Sequence, residues 1–182
     1  EPPSGTTGGK QVFVDRVEWN LALRDPQAQV NALQKGEIDI LEQVPFDHLA
    51  TVKADANLQV PRYTSYGNQY MARFNHLHKP FDNPKVRQAV IAAFNQEAFL
   101  RAQVGIKELY KPCGSMFMCG TPYGSLAGSD IQMKSNMRKA QELLKASGYD
   151  GTPIVVLKPT DLQSIGKLPD VAAQLLRQAG FK

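Results

Sequence analysis

No stretch of this sequence approaches the roughly 20 consecutive apolar residues that a membrane-crossing helix needs; the apolar runs are short, such as AVIAAF at 89–94. Runs of like charge are missing too. The net charge is +4, yet the basic residues are scattered among acidic ones, and a nucleic-acid face would want them gathered into a patch with aromatics. No nucleic-acid partner is expected. The enzyme motifs that carry their own mechanism are also absent. There is no G-x-S-x-G elbow for a nucleophile, no G-x4-G-K-[ST] phosphate loop at GGKQVFVD, and no G-x-G-x-x-G between a strand and a helix. Nothing here points to catalysis, and no cofactor is expected.

Histidine and cysteine are scarce, which narrows the metal and redox readings. His76 and His78 stand two apart in FNHLHKPFDN, and a persistent strand would aim both to one face. His48 is far away in sequence and no Cys or carboxylate pair completes a ligand set, so surface histidines are the expectation and a metal-dependent enzyme using His76 and His78 is the alternative. Cys113 and Cys119 lie in KPCGSMFMCGTPYG, flanked by Gly and Pro. One disulfide in an oxidising compartment is expected for two such cysteines, with two reduced thiols as the alternative, because C-x5-C suits neither zinc nor a C-x-x-C redox site. Glu37 and Asp39 alternate with Ile38 and Ile40 in GEIDILEQ, which suits a solvated strand face rather than an acid–base pair.

The rest is ordinary globular composition with an α/β grammar. Residues 1–9, rich in Pro, Gly, Ser and Thr, are expected to be linker, and the first residues, EPPSGTTGGK, hold neither Met nor a basic and apolar leader, so a targeting signal is expected to have been removed or to lie upstream. Strands are predicted at 12–23, 38–43, 58–63 and 66–75 from period-two or extended patterns, and at 153–158, PIVVLK, buried on both faces. Helices are predicted at 26–35, opened by Asp25-Pro26 and stopped by Gly36, with Val30 and Leu33 inward; at 45–53; and from Asn83-Pro84 with Val86, Ala89, Val90 and Ala93 on one face. Further helices are predicted from near Gln96, from a Ser135 cap to Gly148, and from Pro169 to Gly180, with 104–134 irregular. The chain stops where an α/β pattern would next supply a strand, so continuation beyond Lys182 is expected. Tyr63, Tyr66 and Tyr70 with Asn68 make a polar and aromatic stretch just after Pro61, suited either to packing or to a ligand.

Three segments together, ALQKGEIDILEQVP at 32–45, YMARFNHLHKPFDNPKVRQAVIAAFNQEAF at 70–99 and KAQELLKASGYDG at 139–151, resemble one family in order and spacing. It is the extracytoplasmic solute-binding proteins of peptide-type ABC transporters, family 5. FN, then PFDN, then VRQA is the specific part. The resemblance implies a periplasmic-binding-protein-like fold of class II, two α/β lobes closing on a ligand, of which only part is present here. It implies that residues 10–62 belong to lobe I up to the hinge and 63–182 to lobe II, with the crossover near Pro61–Ser65. Thr64, Ser65, Tyr66, Gly67 and Asn68 are then the expected ligand-facing residues. The implied function is capture of a di- or oligopeptide outside the membrane and delivery to permease subunits, with a nickel complex, haem, an opine or a sugar as alternative ligands. The implied location is periplasmic or extracytoplasmic, membrane-associated through the transporter. The family's acidic anchor for a peptide amino terminus is expected past Lys182, in the rest of the parent chain. The Cys113–Cys119 loop is not general in the family and suggests a subgroup with its own specificity.

Overall fold

A computed structural model describes residues 3–4, 7–62 and 65–182. The chain divides into two compact units, 1–42 and 43–182. Residues 43–62, assigned to lobe I by the resemblance, thus group with the second unit; one tie is the ion pair of Asp47 with Lys167, 3.0 Å apart. In the first unit, Pro3–Ser4 (β1) and Thr7–Gly8 (β2) pair antiparallel within the stretch expected to be linker. Pro26–Gln34 forms α1. Its start follows from Asp25, whose carboxylate accepts from the Ala28 amide at 2.8 Å, and from Pro26, whose fixed φ suits the first helical position. Gly36, at φ +71°, ends it. Val30 is buried as expected, but the second buried residue is Ala32, and Leu33 is half-buried.

In the second unit a 3-10 turn, Phe46–His48, leads into α2, Leu49–Ala54. Pro84–Ala93 is α3, Gln96–Gln103 α4, Asp130–Met133 α5, Met137–Ala146 α6 and Leu168–Ala179 α7. The core gathers Val86, Ala89, Val90 and Ala93 of α3 with Ala140 and Leu144 of α6, Leu176 and Ala179 of α7, and Phe181. Alanines at 89, 93 and 140 leave no side-chain bulk between α3 and α6, so their backbones can approach closely. Both ends of this pair are clamped. Asn83 donates from Nδ2 to the Ser147 carbonyl at 2.9 Å, and the Asn136 amide donates to the Ala92 carbonyl at 2.7 Å, which fixes the two helices antiparallel. Asn83 also accepts the Lys85 amide at 2.9 Å as the α3 cap. Asn83→Ala removes both bonds at once and is expected to lower stability by about 1–2 kcal/mol, read as a lower urea midpoint at unchanged slope; an unchanged midpoint would contradict the clamp.

The α6 cap is Asn136, not Ser135: Asn136 accepts the Lys139 amide at 2.9 Å, while Ser135 stands one residue outside and accepts from Asn95 Nδ2 at 3.1 Å. Asn95 in turn caps α4 through the Ala98 amide. The last helix closes with Gly180 in the left-handed region, φ +98°, and the Phe181 amide returns to the Leu176 carbonyl at 3.0 Å, a turn that carries the Phe181 ring into the core beside Tyr149.

The five predicted strands find no pairing partner among the described residues. Residues 12–23, 38–43, 58–62, 65–75 and 153–158 belong to no ladder among the described residues. The described residues therefore show the helices and a two-residue hairpin and do not confirm the α/β expectation. The physical reason is that an extended run becomes a strand only when a neighbour accepts its backbone bonds. Trp19 is 77 % exposed, and Val12, Phe13, Leu21 and Ile40 are exposed with it. PIVVLK, expected to be buried on both faces, leaves Val155 and Leu157 80 % and 84 % exposed, and the Ile154 amide donates to the Lys182 carbonyl at 2.8 Å.

Candidate functional site

Among the expected ligand-facing residues, Thr64 lies outside the described residues, as does Tyr63. Ser65, Tyr66 and Asn68 are exposed, and Gly67 sits at φ +77°, a conformation open to glycine that interrupts the extended run expected there. After it, Gln69 and Tyr70 turn partly inward. Burial raises the Tyr70 phenol pKa, so the ring stays neutral well above physiological pH.

What the segment turns toward is the cysteine loop. Cys113 and Cys119 are joined, with Cα atoms 5.9 Å apart. Gln69 donates from Nε2 to the Ser115 carbonyl at 2.9 Å, and the Tyr66 ring lies beside Gly120, where an added Cβ would stand 4.0 Å from Tyr66 Cδ1. The loop is held from the other side by α4 and α5. Gln96 accepts the Cys113 amide at 2.7 Å and donates to the Cys113 carbonyl at 2.9 Å, pairing with it as a strand neighbour would; Gln132 donates to the Gly114 carbonyl. Gly114 carries no side chain for a steric reason: a Cβ there would stand 2.8 Å from Ser129 Cβ and 2.9 Å from Met133 Cγ. Ser115 is buried, and its hydroxyl accepts the Ser125 amide at 3.0 Å. Outward from this base, Met116, Phe117 and Tyr123 are exposed, the two rings 6.2 Å apart. Ser65, Tyr66 and Asn68 are thus exposed in a segment held against the loop through Gln69, with the Tyr66 ring near Gly120.

Next to Gln96, Glu97 accepts from Lys107 Nζ at 2.9 Å and from the Tyr110 hydroxyl at 2.8 Å. The Lys107 bond first, then the Tyr110 bond, holds its carboxyl below the ordinary 4.5. A depressed carboxyl contributes stability above pH 4.5 and loses it as pH falls through the lowered value, so this support of α4 weakens only in acid.

The other candidates are not brought together. His76 and His78 are exposed in the connection before α3, and His48 is half-buried in the 3-10 turn. Among the described residues no group of three His, Cys, Asp or Glu side chains is placed to hold a metal ion. Glu37 and Asp39 are exposed, and Glu37 meets Lys35 at 4.0 Å. A groove beside Ile154 and Leu176 has about 60 Å³, room for a few waters and far below the several hundred Å³ of a small-molecule site. Three glutamines, 69, 96 and 132, hold the loop and were not legible in the sequence. Glutamine carries no spacing signal, and its amide finds a backbone partner only after tertiary packing.

A family model described as bacterial extracellular solute-binding proteins, family 5, middle, matches residues 7–182. The chain is 39 % identical over 182 residues to a probable peptide ABC transporter periplasmic-binding protein of Sinorhizobium fredii, a match covering 99 % of this chain and 34 % of that protein. It is 28 % identical over 170 residues to a glutathione-binding protein of Salmonella typhimurium, covering 93 % of this chain and 32 % of the relative, and 27 % identical over the same length to a glutathione-binding protein of Escherichia coli. The chain spans about a third of the length of these relatives. No helix among the described residues is long and apolar enough to cross a membrane.

Proposed function

The chain belongs to the bacterial extracellular solute-binding proteins of family 5, and from that membership we propose that it is part of the ligand-binding subunit of an ABC importer, capturing a di- or tripeptide outside the membrane and passing it to permease subunits. The observation that carries the ligand class is the likeness, over 99 % of the chain, to a relative named for peptides, joined by relatives named for glutathione, itself a tripeptide. The protein works by binding, in a periplasmic or other extracytoplasmic setting. In this reading residues 10–62 end lobe I, 63–182 belong to lobe II, and the two α/β lobes of the class II fold close on the ligand by hinge motion. The segments predicted as strands, 12–23, 38–43, 58–63, 66–75 and 153–158, then belong to sheets completed by the rest of the protein.

Thr64, Ser65, Tyr66, Gly67 and Asn68 are proposed to meet the ligand. Their support is the exposure of Ser65, Tyr66 and Asn68 in a segment tied to the cysteine loop through Gln69, and the glycine at 67, which leaves backbone groups approachable. Calorimetric titration of the full-length protein with a panel of di- and tripeptides tests the reading. At least one peptide is expected to bind at micromolar Kd or tighter; no heat with any of them would remove peptides as the ligand class.

A further inference from the structure

We propose that the Cys113–Cys119 disulfide, together with Gln69, positions the Tyr66–Asn68 segment, so that the redox state of the loop sets the order of the ligand face; this rests on the binding role proposed above. The two ends of the loop are held differently. Cys113 is fixed to α4 by the paired bonds of Gln96, and Gly114 and Ser115 are fixed by Gln132 and Gln69. Cys119 leads directly into Gly120, the residue beside the Tyr66 ring. The disulfide therefore ties the anchored end of the loop to the end that lies near the Tyr66 ring. Gln69 is a second tie, between the backbone at 115 and the chain three residues past Tyr66.

Reduction by a dithiol such as dithiothreitol adds two electrons and two protons to the S–S bond, giving two protein thiols and the cyclic disulfide of the reagent. Residues 113–115 then stay held by the three glutamines, whereas 117–120 lose the link that keeps Gly120 beside Tyr66. Both cysteines are half-buried, so the bond is open to a small reductant. The core of α3, α6 and α7 makes no use of it.

The test labels the full-length protein with 3-fluorotyrosine and follows the ¹⁹F resonance of Tyr66, assigned by its loss in Tyr66→Phe. The resonance is expected to move on reduction and to sit at the reduced position in Cys113→Ser/Cys119→Ser, where dithiothreitol has no further effect. It is also expected to move in Gln69→Leu with the disulfide intact. The Tyr149 resonance, reporting the core beside Phe181, stays in place throughout. With the tightest peptide of the panel, reduction and Gln69→Leu are each expected to weaken binding about threefold to tenfold, the scale of one lost hydrogen bond. A Tyr66 resonance indifferent to both reduction and the double substitution overturns the coupling, as do two free thiols in the denatured, unreduced protein. Parallel movement of Tyr149 overturns it in favour of a merely structural bridge. A moving Tyr66 resonance with unchanged affinity overturns instead the placing of Tyr66–Asn68 in the ligand site, so the two failures are distinguishable.

Discussion

Val90→Asp in the full-length protein is expected to abolish the folding of unit 43–182. Val90 is 1 % exposed and packs where α3 meets α6 and α7, among alanines and leucines that offer no donor to a carboxylate. An unpartnered buried charge costs more than about 4 kcal/mol, against a total stability of roughly 5–15 kcal/mol for a typical protein. The charge also cannot escape to the surface, because Ala89 and Ala93 flank it with buried positions on the same helix. Soluble yield and the helical signal on heating are the readouts. The control is Arg138→Ala on the exposed face of α6, which should leave both unchanged. A Val90→Asp protein that melts like the parent would show that the three-helix core does not hold this unit together.

Tyr66→Ala is expected to weaken peptide binding by about 30-fold or more, the loss of roughly 2 kcal/mol typical of an aromatic anchor, with the melting temperature unchanged. The separation of the two effects follows from position. Tyr66 is 52 % exposed and outside the core cluster, so its stability role is small, while its ring stands near Gly120 of the cysteine loop. Tyr66→Phe should keep most of the affinity if the ring supplies the contact. Calorimetry at matched protein concentrations distinguishes these outcomes; equal affinity in the alanine variant would remove Tyr66 from the site.

The helices were legible because their signals are local. Asp25-Pro26 and Asn83-Pro84 combine a side chain that accepts the first free amides with a proline preset for the helix, and Gly148 and Gly180 end α6 and α7 at positive φ. The apolar face Val86, Ala89, Val90, Ala93 is the buried one. Ser135 and Asn136 are adjacent and both competent to cap; only the contact with Asn95 decides that Ser135 is occupied elsewhere. Strands were not legible in the same sense. Alternation in VFVDRVEWNLAL reports a face suited to burial, but the bonds that make a strand belong to another segment, and none of the described residues supplies them. In the candidate site, composition marked Tyr66 and Asn68 as a polar and aromatic stretch and the resemblance singled out 64–68, whereas the attachment of this segment to the cysteine loop runs through Gln69 and Ser115, 46 residues apart, a contact that tertiary folding alone creates.

Peptide capture between closing lobes is tested most directly by titrating the full-length protein with the di- and tripeptide panel at several temperatures. At least one peptide should bind at micromolar Kd or tighter, with a negative heat-capacity change from the apolar surface that closure buries, and with affinity reduced in Tyr66→Ala. Absence of binding across the panel, with the protein folded and a non-peptide solute binding tightly in its place, would contradict it.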